Sequence, residues 1–159
     1  MKKVLIGGVG NMFLGDDGFG VEVTRRLSSH GLPEWAHLAD FGIRGIHLAY
    51  ELFEYPYERA ILIDAVARGG APGTLYVLEL DLEELGRQED EAPDAHGMNL
   101  HAVFGLLKSF GKPPPPIWLV GCEPATTEER LGLSEPVQRA VDEAVTLVCN
   151  LLSEATITG

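Results

Sequence analysis

The sequence of 159 residues contains few cysteines and few basic residues. Its two cysteines, Cys122 and Cys149, form no CxxC pair, so their spacing indicates neither a disulfide framework nor a structural zinc site, and we expect reduced thiols. Only 12 lysines and arginines stand against 24 acidic residues, a formal charge of -12. Because nucleic acids and anionic membranes are bound through basic side chains, this balance argues against both as partners. Cationic or metal-bearing partners fit the charge better.

Long apolar runs are also absent. The amino-terminal stretch MKKVLIGGVGN has a basic start, but only a few apolar residues precede the glycines and acids, too few for a signal peptide or a membrane span. The sequence therefore predicts a cytoplasmic protein that does not enter the membrane. A length of 159 residues, of which 45% are apolar, predicts one compact domain over residues 1–159.

Two common enzyme motifs are missing or incomplete. The chain has no GxSxG sequence, which the nucleophile elbow of a serine hydrolase requires. Gly8 and Gly10 match the first two glycines of GxGxxG, but Phe13 stands at the third position. Asp16 and Asp17 in the same turn would repel a pyrophosphate, so the turn is poorly suited to a dinucleotide.

Apolar and amphipathic segments alternate along the chain. The pattern predicts strands at KVLIGGV, HLADF, RAILIDAV, GTLYVLEL and PIWLVGC, and helices at about residues 20–29, IHLAYELFEY, MNLHAVFGLLKSF and SEPVQRAVDEAVTLVCNLL. In the last helix, Ser134 is the predicted N-cap and Pro136 falls in the first turn. GTLYVLEL follows RAILIDAV after only a short turn, so we expect it to be antiparallel to its neighbour or to lie at an edge. The prediction is an α/β fold, a three-layer sandwich with a mostly parallel sheet of about five strands between helices.

Polar residues follow several predicted strands, where ligands of a parallel α/β sheet collect. Asp17 follows the first strand, Asp64 lies near the end of RAILIDAV, and His96 precedes the MNLHAVF helix. Two carboxylates and an imidazole from separate loops suit a three-ligand metal site with open positions, for nickel, iron or zinc. The alternative is that the aspartates cap turns and the histidine lies on the surface.

A thiol offers a second possible chemistry. Cys122 is the last residue of the predicted strand PIWLVGC, and His96 could activate it as a thiolate nucleophile. The alternative is a packing role, because free cysteines are commonly buried hydrophobic residues. Cys149 lies on the apolar stripe of the last helix and is predicted to belong to the core.

Three segments in this order, GNMFLGDDGFG, ILIDA and DAHGMNL, resemble the [NiFe]-hydrogenase maturation endopeptidases, and the likeness covers nearly the whole chain. The resemblance implies a twisted sheet between helices. It also implies an aspartyl-type endopeptidase that trims a C-terminal extension from the precursor of the hydrogenase large subunit once nickel has been installed. The implied partner is that precursor, and we expect the chain to act as a monomer.

The resemblance implies roles for individual residues. Asp17 matches the first metal-contacting carboxylate of the family, Asp64 the second and His96 the imidazole, so all three are assigned as catalytic and metal-contacting. The implied metal is nickel, supplied by the substrate rather than permanently bound. Two other functions stay open: a non-enzymatic nickel-binding maturation chaperone with the same acids, and a cysteine hydrolase using Cys122 and His96.

Four further positions are assigned to substrate binding by the same resemblance. They are Gly10, Asn11, Asp16 and Asp40. Asp16 is the supporting neighbour of the metal-contacting acid. Asp40, in ADFGIRG, matches a further family acid near the site, although Ile43 replaces the usual small residue after the glycine.

Overall fold

The structure is a computed structural model that describes residues 3–43, 45–80 and 100–157. Its strands are β1 (Val4–Val9), β2 (Ala36–Gly42), β3 (Arg59–Ala65), β4 (Leu75–Leu80) and β5 (Ile117–Cys122). Its helices are α1 (Phe19–Leu27), α2 (Gly45–Glu54), α3 (Leu100–Ser109) and α4 (Glu135–Ile157), and a 3-10 turn (Gly15–Gly18) precedes α1. Within the described ranges, no helix is long and apolar enough to cross a membrane.

The five strands form one sheet in the order β2-β1-β3-β5-β4. Strands β2, β1, β3 and β5 run parallel to one another, and β4 runs antiparallel to β5 at the edge of the sheet. All six residues of β1 are buried, as expected for a strand covered on both faces. The predicted mostly parallel five-stranded sheet is therefore confirmed. The expectation for GTLYVLEL is also confirmed, although its partner is β5 rather than the preceding β3.

Helices cover both faces of the sheet. Alternate side chains of β1 point to opposite faces, so Val4 and Ile6 join one apolar cluster and Leu5 joins the other. The first cluster is closed by α1 and α4, and the second by α2 and α3. Each fully buried aliphatic side chain contributes about 1.5–3 kcal/mol through removal of apolar surface from water. The predicted three-layer α/β sandwich is confirmed.

Ser134 is the N-cap of α4, as predicted, but its hydroxyl donates a hydrogen bond to a residue outside the helix. The amide of Gln138 donates to the Ser134 carbonyl at 2.8 Å, which is the first hydrogen bond of the helix, and Pro136 lies in the first turn. The Ser134 hydroxyl donates to the carboxylate of Asp16, which lies 118 residues earlier in the chain. The cap position was thus predictable, whereas the partner of its side chain was not.

Gly20 brings α1 very close to the sheet. A Cβ at Gly20 would lie 2.2 Å from the carbonyl oxygen of Ile63 and 2.4 Å from that of Val9. A Cβ at Gly8 would lie 2.0 Å from the hydroxyl of Thr24, which donates to the Gly20 carbonyl at 2.7 Å. Side chains at these glycines would push the helix away. Because these glycines have no side chains, the turn before α1 can pack against the ends of β1 and β3.

We expect Gly20→Ala to lower the free energy of unfolding by about 3 kcal/mol, because the methyl group has no space between helix and sheet. The matched control is Gly105→Ala in α3, where a Cβ would meet nothing within 4 Å. There, alanine should stabilise by up to about 1 kcal/mol through its helix propensity. Urea unfolding of both variants measures the difference. Equal stability of the two variants would show that the close approach is unimportant.

Candidate active site at the carboxyl edge of the sheet

The candidate site lies where the strand order changes direction. From β1 the chain passes to β2 on one side, and β3 then pairs with β1 on the other side. The carboxyl ends of β1 and β3 therefore border the crevice in which α/β sheets bind ligands. Asp17 lies in the turn after β1, and Asp64 is the penultimate residue of β3. The structure thus brings the two predicted carboxylate residues to one crevice.

Gly10 lies between these two aspartates. Its φ is 129°, a conformation that residues with a side chain rarely adopt. A Cβ there would lie 2.0 Å from the main-chain oxygen of Asp17 and 3.5 Å from Oδ1 of Asp64. The Gly10 amide donates to the carbonyl of Gly42 at 2.8 Å, which joins the ends of β1 and β2. The glycine is required for this packing, and its assigned contact with substrate stays a prediction.

The carboxylate of Asp17 is held from within its own turn. Asp17 is 3% exposed, and its Oδ2 accepts a hydrogen bond from the Asn11 amide at 2.6 Å. Oδ1 of Asn11 in turn accepts from the amide of Phe13 at 2.9 Å. These two bonds give the turn a defined shape and orient Asp17. The assignment of Asn11 to substrate binding stays a prediction.

Asp64 and Asp40 lie at the same edge as Gly10. Asp64 is half-buried, and its Oδ1 accepts from the amide of Ala65 at 2.8 Å. Asp40 is exposed at the end of β2, and its Oδ1 accepts from the amide of Gly42 at 2.9 Å. A register shift opposite the end of β1 turns the β2 backbone just after Asp40. Asp40 is therefore placed near the crevice, where its assigned substrate contact stays a prediction.

Asp16 points away from the crevice into the protein. Its side chain is 0% exposed and accepts four hydrogen bonds. Oδ2 accepts from the amides of Ala125 and Thr126, at 2.7 and 3.1 Å, and from the Ser134 hydroxyl at 2.8 Å. Oδ1 accepts from the Ser134 amide at 2.7 Å. The geometry gives Asp16 a positioning role, and its assigned substrate contact stays a prediction.

Asp16 is ionised at neutral pH although its side chain is buried. Burial alone would raise the pKa of this carboxyl, but the hydrogen bonds from Ser134, Ala125 and Thr126 together outweigh burial, and the pKa lies below its usual value. The ionised carboxylate is therefore the form that holds the loop 124–134 at neutral pH.

Backbone hydrogen bonds reinforce this connection between the two loops. The amide of Gly15 donates to the carbonyl of Arg130 at 2.9 Å, and that of Asp16 to the carbonyl of Thr126 at 2.9 Å. The amide of Arg130 donates back to the carbonyl of Phe13 at 3.0 Å. The turn that carries Asp17 is thus fixed to the loop 124–134 from both sides.

His96, the third predicted ligand, lies outside the described residues. Among residues 3–43, 45–80 and 100–157, no group of three or more histidine, cysteine, aspartate and glutamate side chains is arranged to hold a metal ion. The three-residue metal contact of Asp17, Asp64 and His96 therefore stays a prediction, with two of its members placed at one crevice.

Cys122 is poorly suited to nucleophilic catalysis. Its side chain is 0% exposed within the apolar cluster closed by α1 and α4. Burial raises the pKa of the thiol to about 12, and the charges of Asp16 and Glu123 act in the same direction. A catalytic cysteine needs access and a lowered pKa, so the geometry argues against a hydrolase built on Cys122 and His96. Cys149 is half-buried at the margin of the same cluster.

Glu123, directly after β5, has a structural role. Its Oε1 accepts from the amides of Arg68 and Gly70, at 2.8 and 2.9 Å, and from the hydroxyl of Tyr76 at 2.7 Å. The hydrogen bond from Tyr76 and those from the turn amides lower the pKa of Glu123. Glu123 therefore fixes the turn between β3 and β4. An acid directly after a strand was the only signal in the sequence.

Comparison with known proteins supports a single family. Residues 21–151 match the family model described as hydrogenase maturation protease. The chain is also similar to the hydrogenase expression/formation protein HupM of Azotobacter chroococcum, with 34% identity over 162 aligned positions that cover 96% of this chain and 72% of the relative.

Solved structures show the same similarity in three dimensions. The hydrogenase maturating endopeptidase HybD of Escherichia coli aligns with a TM-score of 0.82 and 28% identity, covering 96% of this chain and 93% of that one. A hydrogenase 2 maturation peptidase from a Thaumarchaeota archaeon aligns with a TM-score of 0.74 and 37% identity, covering 96% and 99% of the two chains. The similarity thus extends over sequence and fold together.

Proposed function

This chain belongs to the hydrogenase maturation protease family and is a peptide-bond hydrolase, and from that premise we propose that it removes the C-terminal extension of a [NiFe]-hydrogenase large-subunit precursor after nickel has been inserted. The nickel belongs to the substrate, and the chain recognises it there. We place the reaction in the cytoplasm, with the chain acting as a monomer.

The observation that carries the proposal is the pair of carboxylate residues around Gly10. Asp17 comes from the turn after β1 and Asp64 from the end of β3, yet both lie against this one glycine: a Cβ there would be 2.0 Å from the main-chain oxygen of Asp17 and 3.5 Å from Oδ1 of Asp64. Carboxylate oxygens are suitable ligands for a divalent ion that keeps open positions. A nickel centre presented by the precursor would be attracted to two acids, whereas a metal-free precursor would not. This difference supports recognition of the loaded precursor only.

In this proposal Asp17, Asp64 and His96 contact the nickel of the precursor, and the peptide bond to be cut lies beside them. Asp40 and the main chain of Gly10 face the segment of the bound precursor that extends out of the crevice. Hydrolysis adds water to the peptide carbonyl, breaks its C–N bond and leaves a proton on the departing amine. Asp16 contributes indirectly, because it holds the turn that carries Asp17.

The two other candidate functions receive less support. A nickel-binding chaperone would leave the mass of the precursor unchanged, which conflicts with membership in a protease family. A cysteine hydrolase would need an exposed thiolate, whereas Cys122 is buried and its pKa is raised to about 12.

Mass spectrometry of the precursor tests the proposal. We expect the purified chain to shorten nickel-loaded precursor by one C-terminal peptide and to leave nickel-free precursor intact. Treating the chain with a chelator and removing the chelator before the assay should not lower its activity, because the required ion arrives with the substrate. Cleavage of nickel-free precursor would contradict nickel recognition. An unchanged mass of the loaded precursor would contradict the proposed cleavage itself.

A further inference from the structure

An open groove of about 550 Å³ lies between the edge strand β2 and helix α2. Asp40 and Phe41 form the β2 side, and residues 47–55 provide the lining of the other side. Asp40 also stands opposite Gly8 in the register of β1 and β2, close to the carboxyl edge of the sheet. One end of this space, the β2–α2 groove, therefore reaches the candidate active site.

The α2 side of the groove is rich in exposed aromatic rings. Tyr50, Phe53 and Tyr55 are 49%, 40% and 42% exposed. Phe110 supports two of them, with ring centroids 5.9 Å from Tyr50 and 4.9 Å from Phe53. Exposed aromatic patches with a polar border are typical of binding surfaces. The wall is thus formed before any partner arrives.

The same wall carries negative charge. The carboxyl groups of Asp40, Glu51 and Glu54 all line the groove. Oε1 of Glu51 accepts a hydrogen bond from the Tyr57 hydroxyl at 2.7 Å and lies 3.4 Å from Nε2 of His37, whereas exposed Glu54 forms no ion pair with any other described residue. Acids beside aromatic faces favour lysine and arginine side chains, which pair with carboxylates and lie over rings.

Two lysines of the chain itself already make such contacts near the end of α2. Nζ of Lys112 lies 6.0 Å from the ring centroid of Phe53 and donates to the Phe53 and Tyr55 carbonyls. Nζ of Lys3 lies 5.6 Å from the ring centroid of Tyr55. These contacts place two cations against this wall. Both lysines sit at the end of the groove that is far from Asp40, so the exposed carboxylate of Asp40 is left at the opposite end.

The β2 side offers main-chain groups as well. β2 pairs with β1 along one edge, and across the described ranges no strand pairs with its other edge. An edge strand presents free N–H and C=O groups to an added strand. Seven residues of β2 extend over about 23 Å. This length suits an extended peptide that runs away from the active site.

We propose that the β2–α2 groove binds the C-terminal extension of the precursor as an extended, basic segment alongside β2. This inference rests on the function proposed above and names the part of the substrate that docks. A terminal segment can extend along a strand edge, whereas a groove of about 550 Å³ is too small for the folded body of a subunit. Its basic side chains would meet Glu51 and Glu54 and cover the rings of Tyr50 and Phe53, with the bond to be cut held near Asp40.

Binding of synthetic extension peptides tests the groove separately from cleavage. The probes are fluorescein-labelled peptides with the sequences of the extensions of the [NiFe]-hydrogenase large-subunit precursors from the source organism. We expect Glu54→Lys to weaken binding about tenfold, and Tyr50→Ala about fivefold. The matched control is Glu143→Lys, the same charge change at an exposed site on α4, across the sheet from the groove. It should change binding less than about twofold.

Cleavage assays then identify the docked segment. With nickel-loaded full-length precursor, Glu54→Lys should raise KM about tenfold relative to Glu143→Lys. Binding of a precursor truncated before the extension should be equal for both variants. Equal losses in Glu54→Lys and Glu143→Lys, or a loss with truncated precursor, would overturn the groove assignment. If Glu54→Lys weakens peptide binding and Glu143→Lys does not, but the nickel-loaded precursor is never cleaved, the proposed function alone would be overturned.

Discussion

We expect Asp17→Ala and Asp64→Ala each to lower the rate of precursor cleavage by at least about 100-fold. In the proposed function, each change removes one of the two carboxylates at the crevice and so leaves the nickel of the precursor with too few contacts. His96→Ala should have an effect of the same size. Binding of nickel-loaded precursor should fall in parallel, towards the affinity for nickel-free precursor, because recognition and cleavage use the same contacts. Single-turnover cleavage and binding titrations measure the two effects separately.

The control for these variants is Cys122→Ala. The thiol is buried and its pKa is raised to about 12, so its loss should leave kcat/KM within about threefold of wild type and lower stability by about 1 kcal/mol. Circular dichroism of the Asp17→Ala, Asp64→Ala, His96→Ala and Cys122→Ala variants checks that each is folded. A folded but inactive Cys122→Ala, or a normal rate for Asp64→Ala, would rule out the proposed carboxylate site.

The second large effect is expected at Asp16, where alanine should lower the free energy of unfolding by about 3–5 kcal/mol. Alanine leaves the amides of Ala125, Thr126 and Ser134 and the Ser134 hydroxyl without their acceptor. Cleavage should also fall in the folded fraction, because the turn that carries Asp17 is no longer fixed. Urea unfolding and cleavage at a temperature where the variant is folded measure the two consequences.

Asp16→Asn should fall between wild type and Asp16→Ala. An amide oxygen at the Oδ2 position keeps three acceptor contacts, while the amide nitrogen faces the donor N–H of Ser134. The matched control is Asp142→Ala, whose side chain is 80% exposed and pairs with Arg26 on the surface. It should cost less than about 1 kcal/mol. Similar losses for Asp16→Ala and Asp142→Ala would refute the positioning role.

The contribution of Asp16 should depend on pH in a defined direction. Its pKa is lowered in the folded protein, so the carboxylate stabilises the fold fully above the ordinary aspartate pKa of about 4. That stabilisation is lost as the pH falls through this value towards the lower pKa of the folded state. The stability difference between wild type and Asp16→Ala should therefore be largest near neutral pH and narrow in acid. A difference that grew in acid would contradict an ionised Asp16.

The layers of the fold were predictable because their signals are local in the sequence. The runs VLIGGV and RAILIDA are continuously apolar, and both lie at the centre of the sheet with helices on each face. The short turn before GTLYVLEL excluded a crossover helix, and β4 is the antiparallel edge strand. An acid in the turn after one strand and an acid near the end of another likewise predicted that Asp17 and Asp64 would share one edge, where the structure places them.

The partners of buried polar groups could be read only from the tertiary structure. Asp16 and Asp17 are neighbours of the same type, yet Asp16 accepts its hydrogen bonds from the distant loop 124–134 and Asp17 accepts from Asn11 in its own turn. The hydrogen-bond donors to Asp16 lie 109 to 118 residues further along the chain. Periodicity and turn composition describe neighbours in sequence, whereas a buried carboxylate must find donors wherever the docking of two distant loops provides them.

Cys122 and the β2–α2 groove illustrate the same division. The sequence determined that a thiol stands at the end of β5 and that α2 carries aromatic and acidic residues. Only the packing of α1 and α4 decided that the thiol is buried with a raised pKa, and only the strand order decided that β2 is an edge beside those rings. Local pattern determines which surface an element can bury. Exposure and charge state depend on what the rest of the chain brings against that surface.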